Sequence, residues 1–284
     1  MSEKKQFPRT EVGGVSLPRM LIGTNWIVGY SHTGHAADMD IRNTNKTAED
    51  VFPTFKTFTD YGVDAILGVT SIDQILVDSI KYFKDKTGID LIQIDTPWIN
   101  VDDSKEGRAE AEKIMKQSAK AGAKFCMPHH SSAEQLVNKN KRTIDRLPDY
   151  LSMIRDNGMI PGLSAHMPEL IIYSDLNEYD VQTYIQLFNC MGFLMQIEVE
   201  SIIQIIHNAK KPVMTIKPMA AGRVSPYVGL TFNWNVLRPQ DMITVGIKTF
   251  WEAYEDIEIS FAAFEKRLPD LEGRSSPNKT DIIK

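Results

Sequence analysis

Two adjacent histidines, His129 and His130, follow the apolar run Phe125-Cys126-Met127-Pro128. An apolar run opening after Ala121-Gly122-Ala123 is how a buried parallel strand begins. Its abrupt end in two imidazoles places titratable groups at one end of a sheet. Three similar runs end the same way. Leu91-Ile-Gln-Ile leads to Asp95, Met159 to Ser164 leads to His166, and Val213-Met-Thr-Ile leads to Lys217. His32 and His35 lie in a polar stretch after the first apolar run. Five of the six histidines therefore follow strand-like segments, and only His207 falls elsewhere, on a helix.

These residue types support two chemistries. In one, His32, His35, His129, His166 and Asp95 supply ligands to a divalent metal such as zinc, manganese, nickel, copper or iron. An open coordination position then activates water or a substrate oxygen. In the other no metal is needed. His129 or His166 moves protons near neutral pH, with Asp95 and Lys217 as base or charge stabiliser. Each residue also has a plain structural reading. Side chains of consecutive strand residues point to opposite faces, so only one of His129 and His130 is expected to face inward, and His129 is the preferred one. Loop histidines such as His32 and His35 are ordinarily solvated. Asp95 suits a turn cap before Pro97. A lysine buried at the position of Lys217 needs a partner.

The elements that must position these groups read as alternating strands and helices. Pro8 to Leu17 is a hairpin turning at Val12-Gly-Gly-Val15. Strands are expected at 20–24, 65–69, 91–96, 124–127, 159–164, 181–187, 213–217 and 242–246. Helices are expected over Thr47 to Asp60, Ile72 to Lys86, Arg108 to Ala121, Glu198 to Ala209 and Phe250 to Lys266, with a short one from Met167. Ala133 to Arg155 reads as mostly helical with a break at Pro148. Asn25 to Asn45 is a long polar loop carrying Trp26 and Tyr30, of a length often used for lids. Ser225 to Gln240 reads as an excursion rather than a helix. Eight strands in this alternation predict a (β/α)8 TIM barrel, a single domain over residues 1–284 capped below by the hairpin. Strand-to-helix loops then share one face, which is where the histidines fall. Trp26, Tyr30 and Trp98 are candidates to line a pocket there.

The chain has 284 residues, 42% of them hydrophobic, enough for one such barrel. A net charge of -5 argues against a nucleic-acid partner, which needs a basic surface. No apolar run reaches the ~20 residues of a membrane helix. The polar opening has no apolar core of the secretory kind. Cys126 and Cys190, placed in predicted buried strands, are too few for a disulfide framework, which suits a cytoplasmic setting. The tail from Leu268 is polar and expected to be loosely ordered. A small molecule is the expected partner, and composition leaves open whether the chain forms a homo-oligomer.

Several of these stretches together resemble the aldo/keto reductases. Arg9-Thr-Glu-Val-Gly-Gly-Val-Ser-Leu-Pro-Arg-Met-Leu-Ile-Gly-Thr24 is similar to that family's opening hairpin and first strand. Gly162-Leu-Ser-Ala-His166 resembles its fifth strand, and Ile216-Lys-Pro-Met-Ala-Ala-Gly222 its strand-seven turn. Thr244-Val-Gly-Ile-Lys-Thr249, followed by Glu255, resembles its last strand and helix. The resemblance implies the barrel and a binding place for NADP near Lys248, Thr249 and Glu255. The family's reducing set is an aspartate after strand two, a nearby tyrosine, a lysine after strand three and a histidine after strand four. Here strand two ends Leu67-Gly-Val-Thr70, strand three ends Asp95-Thr96, and only the histidine is matched, by His129 or His130. The leading expectation is thus a barrel hydrolase, lyase or isomerase, metal-assisted or histidine-based, acting on a small polar, sugar-like molecule. A divergent NADP-dependent reductase and a non-catalytic binding barrel are the alternatives.

Overall fold

The computed structural model describes residues 4–271. The chain opens with β1 (Arg9–Val12) and β2 (Val15–Pro18), paired antiparallel with Val12 opposite Val15. Gly13 and Gly14 take φ +56 and +78, the left-handed pair a two-residue hairpin turn requires. Then come β3 (Met20–Gly23), α1 (Asn25–Val28), α2 (His35–Thr44), α3 (Ala48–Asp60), β4 (Ala65–Gly68) and α4 (Gln74–Thr87). The middle of the chain gives β5 (Ile92–Asp95), α5 (Lys105–Lys120), β6 (Ala123–Cys126), α6 (His130–Ala133), β7 (Val137–Asn138), β8 (Thr143–Ile144) and α7 (Leu147–Asp156). The rest is β9 (Ile160–Pro161), β10 (Leu163–Ala165), α8 (Glu169–Asn177), β11 (Tyr184–Leu187), α9 (Val199–Asn208), β12 (Val213–Ile216), α10 (Pro226–Val236), β13 (Met242–Gly246) and α11 (Phe250–Glu265).

Among the described residues one parallel sheet runs β10-β11-β12-β13-β3-β4-β5-β6-β9. Its two ends are halves of one strand, because β9 and β10 are separated only by Gly162. Gly162 donates its N–H to Cys126 O on the β6 side, and Leu163 donates to Thr183 O on the β11 side. The sheet therefore closes on itself as a (β/α)8 barrel. A Cβ at Gly162 would lie 2.6 Å from Met127 Cε and 2.9 Å from Thr183 O, so this seam admits only glycine without rearrangement.

Two apolar layers hold the barrel. Inside it, Leu21, Ala65, Ile94, Phe125, Ile185, Met214 and Met242 form one buried cluster, joined from below by Val12 and Leu17 of the hairpin. The hairpin thus plugs the bottom. Outside, the helices pack their apolar stripes on the strands. In α3, Val51, Phe55 and Phe58 recur at helical spacing and are buried, and Thr47 and Asp50 form a capping box at the start. Phe83 of α4 meets Phe55 edge-on at 5.8 Å between centroids. Each such ring contributes about 1.5–3 kcal/mol by leaving water. Asp73 caps α4, and Gly88 closes it at φ +73.

The structure departs from the sequence expectations in four places. The polar stretch 25–45 contains α1 and α2. Asp38 accepts hydrogen bonds from Ser31 N and Oγ, and Ile41 is buried, so a segment with little apolar periodicity is pinned by its own side chains. Residues 133–155 are not continuous helix, because the β7–β8 pair interrupts them. Pro148 sits in the first turn of α7, where its missing N–H costs nothing, so it starts a helix rather than breaking one. Residues 225–240 do hold a helix, α10, with Pro226 at its N-terminus. Cys190 lies in the turn after β11 rather than in a strand, and both cysteines are free. Most of the polar tail, residues 272–284, lies outside the described residues.

Candidate active site

The C-terminal ends of the strands open onto a cavity of about 600 Å³. His32, His129, His130, His166 and Lys217 all line it, with Trp26, Tyr30 and Trp98 around the rim. The imidazoles form a ladder. Trp98 and His129 lie 5.2 Å apart between centroids, His129 and His130 4.2 Å, and His130 and His166 3.8 Å with an interplanar angle of 15°. Both members of the His129–His130 pair face the cavity, against the expectation that only one would. Strand β6 ends at Cys126, so the pair has left the strand and its alternation. His129 instead caps α6, its Nδ1 accepting from the Ser131 amide, and His130 begins that helix.

Glu134, which sequence reasoning passed over, ties the ladder together. One carboxylate oxygen accepts the backbone N–H groups of His166 and Met167 at 2.6 and 2.8 Å. The other lies 3.7 Å from His130 Nδ1. Burial works against ionisation of Glu134, but His130 and the two amides prevail and hold its carboxyl below the usual range. The available signal was the i,i+4 spacing from His130 to Glu134 in the turn after strand four.

The ring electrostatics are set by desolvation. Burial, reinforced by His130 and Lys217, pushes His129 down to about 4 and His166 down to about 3. His32, at the rim, is lowered to about 4 by desolvation, then by Lys217. Its Nε2 lies 3.3 Å from the Asn25 side-chain amide, which donates to a neutral ring. At neutral pH these three imidazoles are uncharged.

Lys217 follows β12 at φ +61, a left-handed conformation uncommon for a side-chain-bearing residue. Among the described residues its ammonium has no hydrogen bond or ion pair. Burial lowers it to about 8. Thr24 and Thr244 also line the cavity, and their Oγ1 atoms are buried without hydrogen-bond partners. Gly68, at φ +151, opens the wall opposite Thr24. A Cβ there would fall 1.8 Å from Thr24 Oγ1.

Other sequence candidates lie elsewhere. Asp95 is fully buried and turned away from the cavity, accepting hydrogen bonds from Thr70 Oγ1, Ser71 N and Ser71 Oγ. His35 is exposed at the start of α2 and does not line the cavity. The ligand set His32, His35, His129, His166 and Asp95 is thus not brought together. Among the described residues no three His, Cys, Asp or Glu side chains are grouped to hold a metal ion. His130 and His166 lie face to face, an arrangement that stacks rings rather than aiming their nitrogens at one point.

The region near Lys248, Thr249 and Glu255 is already satisfied internally. Lys248 Nζ pairs with Asp40 at 2.6 Å, and Glu252 accepts the amides of Lys248 and Thr249 while Thr249 caps α11. Glu255 sits on the second turn of that helix. Lys248 and the amides of Lys248 and Thr249 thus already have partners within the chain.

No family model and no curated protein matches this chain. Solved structures do. A Pseudomonas aeruginosa protein assigned to the aldo-keto reductases is 12% identical with a TM-score of 0.67, over 93% of this chain and 98% of that one. Giardia lamblia aldose reductase is 11% identical with a TM-score of 0.54, over 94% and 90%. A Klebsiella pneumoniae aldo-keto reductase in complex with NADPH is 12% identical with a TM-score of 0.53, over 94% and 92%. At such identities the likeness establishes the fold, and the chain is a TIM barrel shaped like those of the aldo-keto reductases.

Proposed function

We propose that this barrel is a histidine-based enzyme that moves protons on a small, polar, sugar-like molecule bound at its mouth. The lyase and isomerase classes fit this best. The observation that carries the reading is the convergence of His129, His130 and His166 with an unpaired Lys217 in one cavity. Neutral imidazoles present an unprotonated ring nitrogen through which a proton on a bound substrate can be relayed. The metal-assisted version has less support, because Asp95 and His35 lie outside the cavity and no three ligand side chains are grouped among the described residues. Gly68 at the end of strand two and Asp95 at the end of strand three weigh against the reductase reading.

Incubation of the protein in D2O with a panel of trioses, tetroses and pentoses tests this. Proton NMR is expected to show exchange of a carbon-bound hydrogen or formation of an isomer or cleavage product with at least one sugar. The double variant His129→Gln/His166→Gln is expected to lose it. Absence of exchange and product across the whole panel, with a folded protein, would overturn the reading.

The reductase reading remains second. It is favoured by the fold neighbour that binds NADPH and opposed by the paired state of Lys248. Titration with NADPH followed by tryptophan fluorescence decides it, because Trp26 lines the cavity. Quenching at micromolar cofactor supports it, and none at millimolar cofactor removes it.

A further inference from the structure

We infer that Lys217 is a nucleophile that forms an imine with the carbonyl carbon of an aldehyde or ketone held at the barrel mouth. This inference rests on the acid–base reading above and names the substrate class and the covalent step. Two features of the cavity support it. The amine is enclosed, with no carboxylate of the described residues pairing it, so nothing holds it permanently as an ammonium ion. Its backbone is fixed in a left-handed turn at φ +61, which costs about 1–3 kcal/mol and is a kind of strain that clusters at functional sites. An amine desolvated in this manner is the form of lysine used for Schiff-base chemistry, and its lowered basicity agrees.

The step balances without an oxidant or metal. The neutral amine nitrogen attacks the carbonyl carbon, and the carbon–oxygen π pair moves to oxygen. A neutral imidazole, His129 or His166, takes a proton from nitrogen and returns it to that oxygen. The carbon–oxygen bond then breaks as the nitrogen lone pair forms C=N. Both amine hydrogens leave with the oxygen as one water. The imine, once protonated, withdraws electrons from the adjacent carbon, which lets an imidazole remove its hydrogen.

The test is reductive trapping. The full-length protein is incubated separately with glycolaldehyde, dihydroxyacetone and pyruvate in the presence of sodium borohydride, then analysed by intact mass and peptide mapping. One reduced probe per chain, mapped to Lys217, is expected with at least one of the three. It should be absent in Lys217→Arg, which keeps the charge but forms no stable imine. Lys217→Met serves as a second variant, and thermal unfolding verifies that both fold. Labelling of Lys217 no faster than that of surface lysines, with all three probes, overturns the inference. Deuterium exchange separates the two failures. Exchange that persists in Lys217→Met removes the imine and leaves the acid–base reading standing, whereas loss of both exchange and trapping in the unaltered protein removes both.

Discussion

Lys217 and Lys248 follow adjacent barrel strands, β12 and β13, and meet opposite circumstances. Lys248 reaches across to Asp40, while Glu252 takes the amides beside it. Lys248 has its counter-charge, and the helix start is capped. Lys217 faces an apolar cavity with three imidazoles in its neighbourhood, each of which its own charge depresses. The same residue type, one strand apart, is paired with a carboxylate on one side of the rim and unpaired on the other. Sequence position at a strand end is therefore not enough. What separates the two is whether a carboxylate arrives from another element to pair the ammonium.

Substitution of the two lysines is the strongest way to break this contrast. Lys217→Met is expected to lower sugar-dependent exchange by on the order of 10³-fold, the scale of losing a nucleophile or proton-transfer group. Lys248→Met should change it less than about twofold, since an exposed pair contributes little. Equal losses in both variants would end the distinction. Next in size, Gly68→Ala forces a methyl against Thr24 and narrows the cavity. About 1–3 kcal/mol of stability should be lost, the ordinary cost of overpacking, and binding of any sugar ligand should weaken. Unchanged thermal unfolding and unchanged binding would show that the wall yields freely.

The pH dependence sharpens the contrast further. Lys217 sits at about 8 in the folded chain against an ordinary 10.5. Between those values the unfolded chain carries more protons, so stability rises with pH there. That contribution is full above 10.5 and lost as pH falls through 8. His129 at about 4 and His166 at about 3 are likewise depressed from 6.5. Their contribution is present above 6.5 and lost as pH falls through 4 and then 3. Urea midpoints measured across pH should show both slopes. The acid slope should shrink in His129→Gln/His166→Gln, and the alkaline one in Lys217→Met. The smallest effect belongs to the saturated side, where Thr249→Ala removes a helix cap and costs about 1 kcal/mol by thermal or urea unfolding.

The barrel itself could be read from the chain because each strand carries its own signal. Runs such as Ala65-Ile-Leu and Val213-Met-Thr-Ile are apolar enough to be buried on both faces. Turns were equally readable where local chemistry fixes them, as at Gly13-Gly14 and Gly88. The segments misread, 25–45, 133–155 and 225–240, lack a clear period. Their structure depends on contacts such as Ser31 to Asp38 and on Pro226 and Pro148 opening helices. In the site, strand-end position correctly suggested His129, His166 and Lys217 as neighbours. It failed for Asp95, whose hydrogen bonds come from the β4–α4 turn, and for His35, which starts a surface helix.

The amino-acid sequence alone determined the order of strands and helices and delivered imidazole and amine to one end of the sheet, because apolar periodicity and strand ends are local properties. Which of those groups share a cavity, which are paired and which are stranded was decided only by the closed barrel. Desolvation and charge pairing depend on what other strands bring near, and β3, β6, β10, β12 and β13 are neighbours at the mouth only after the sheet has closed.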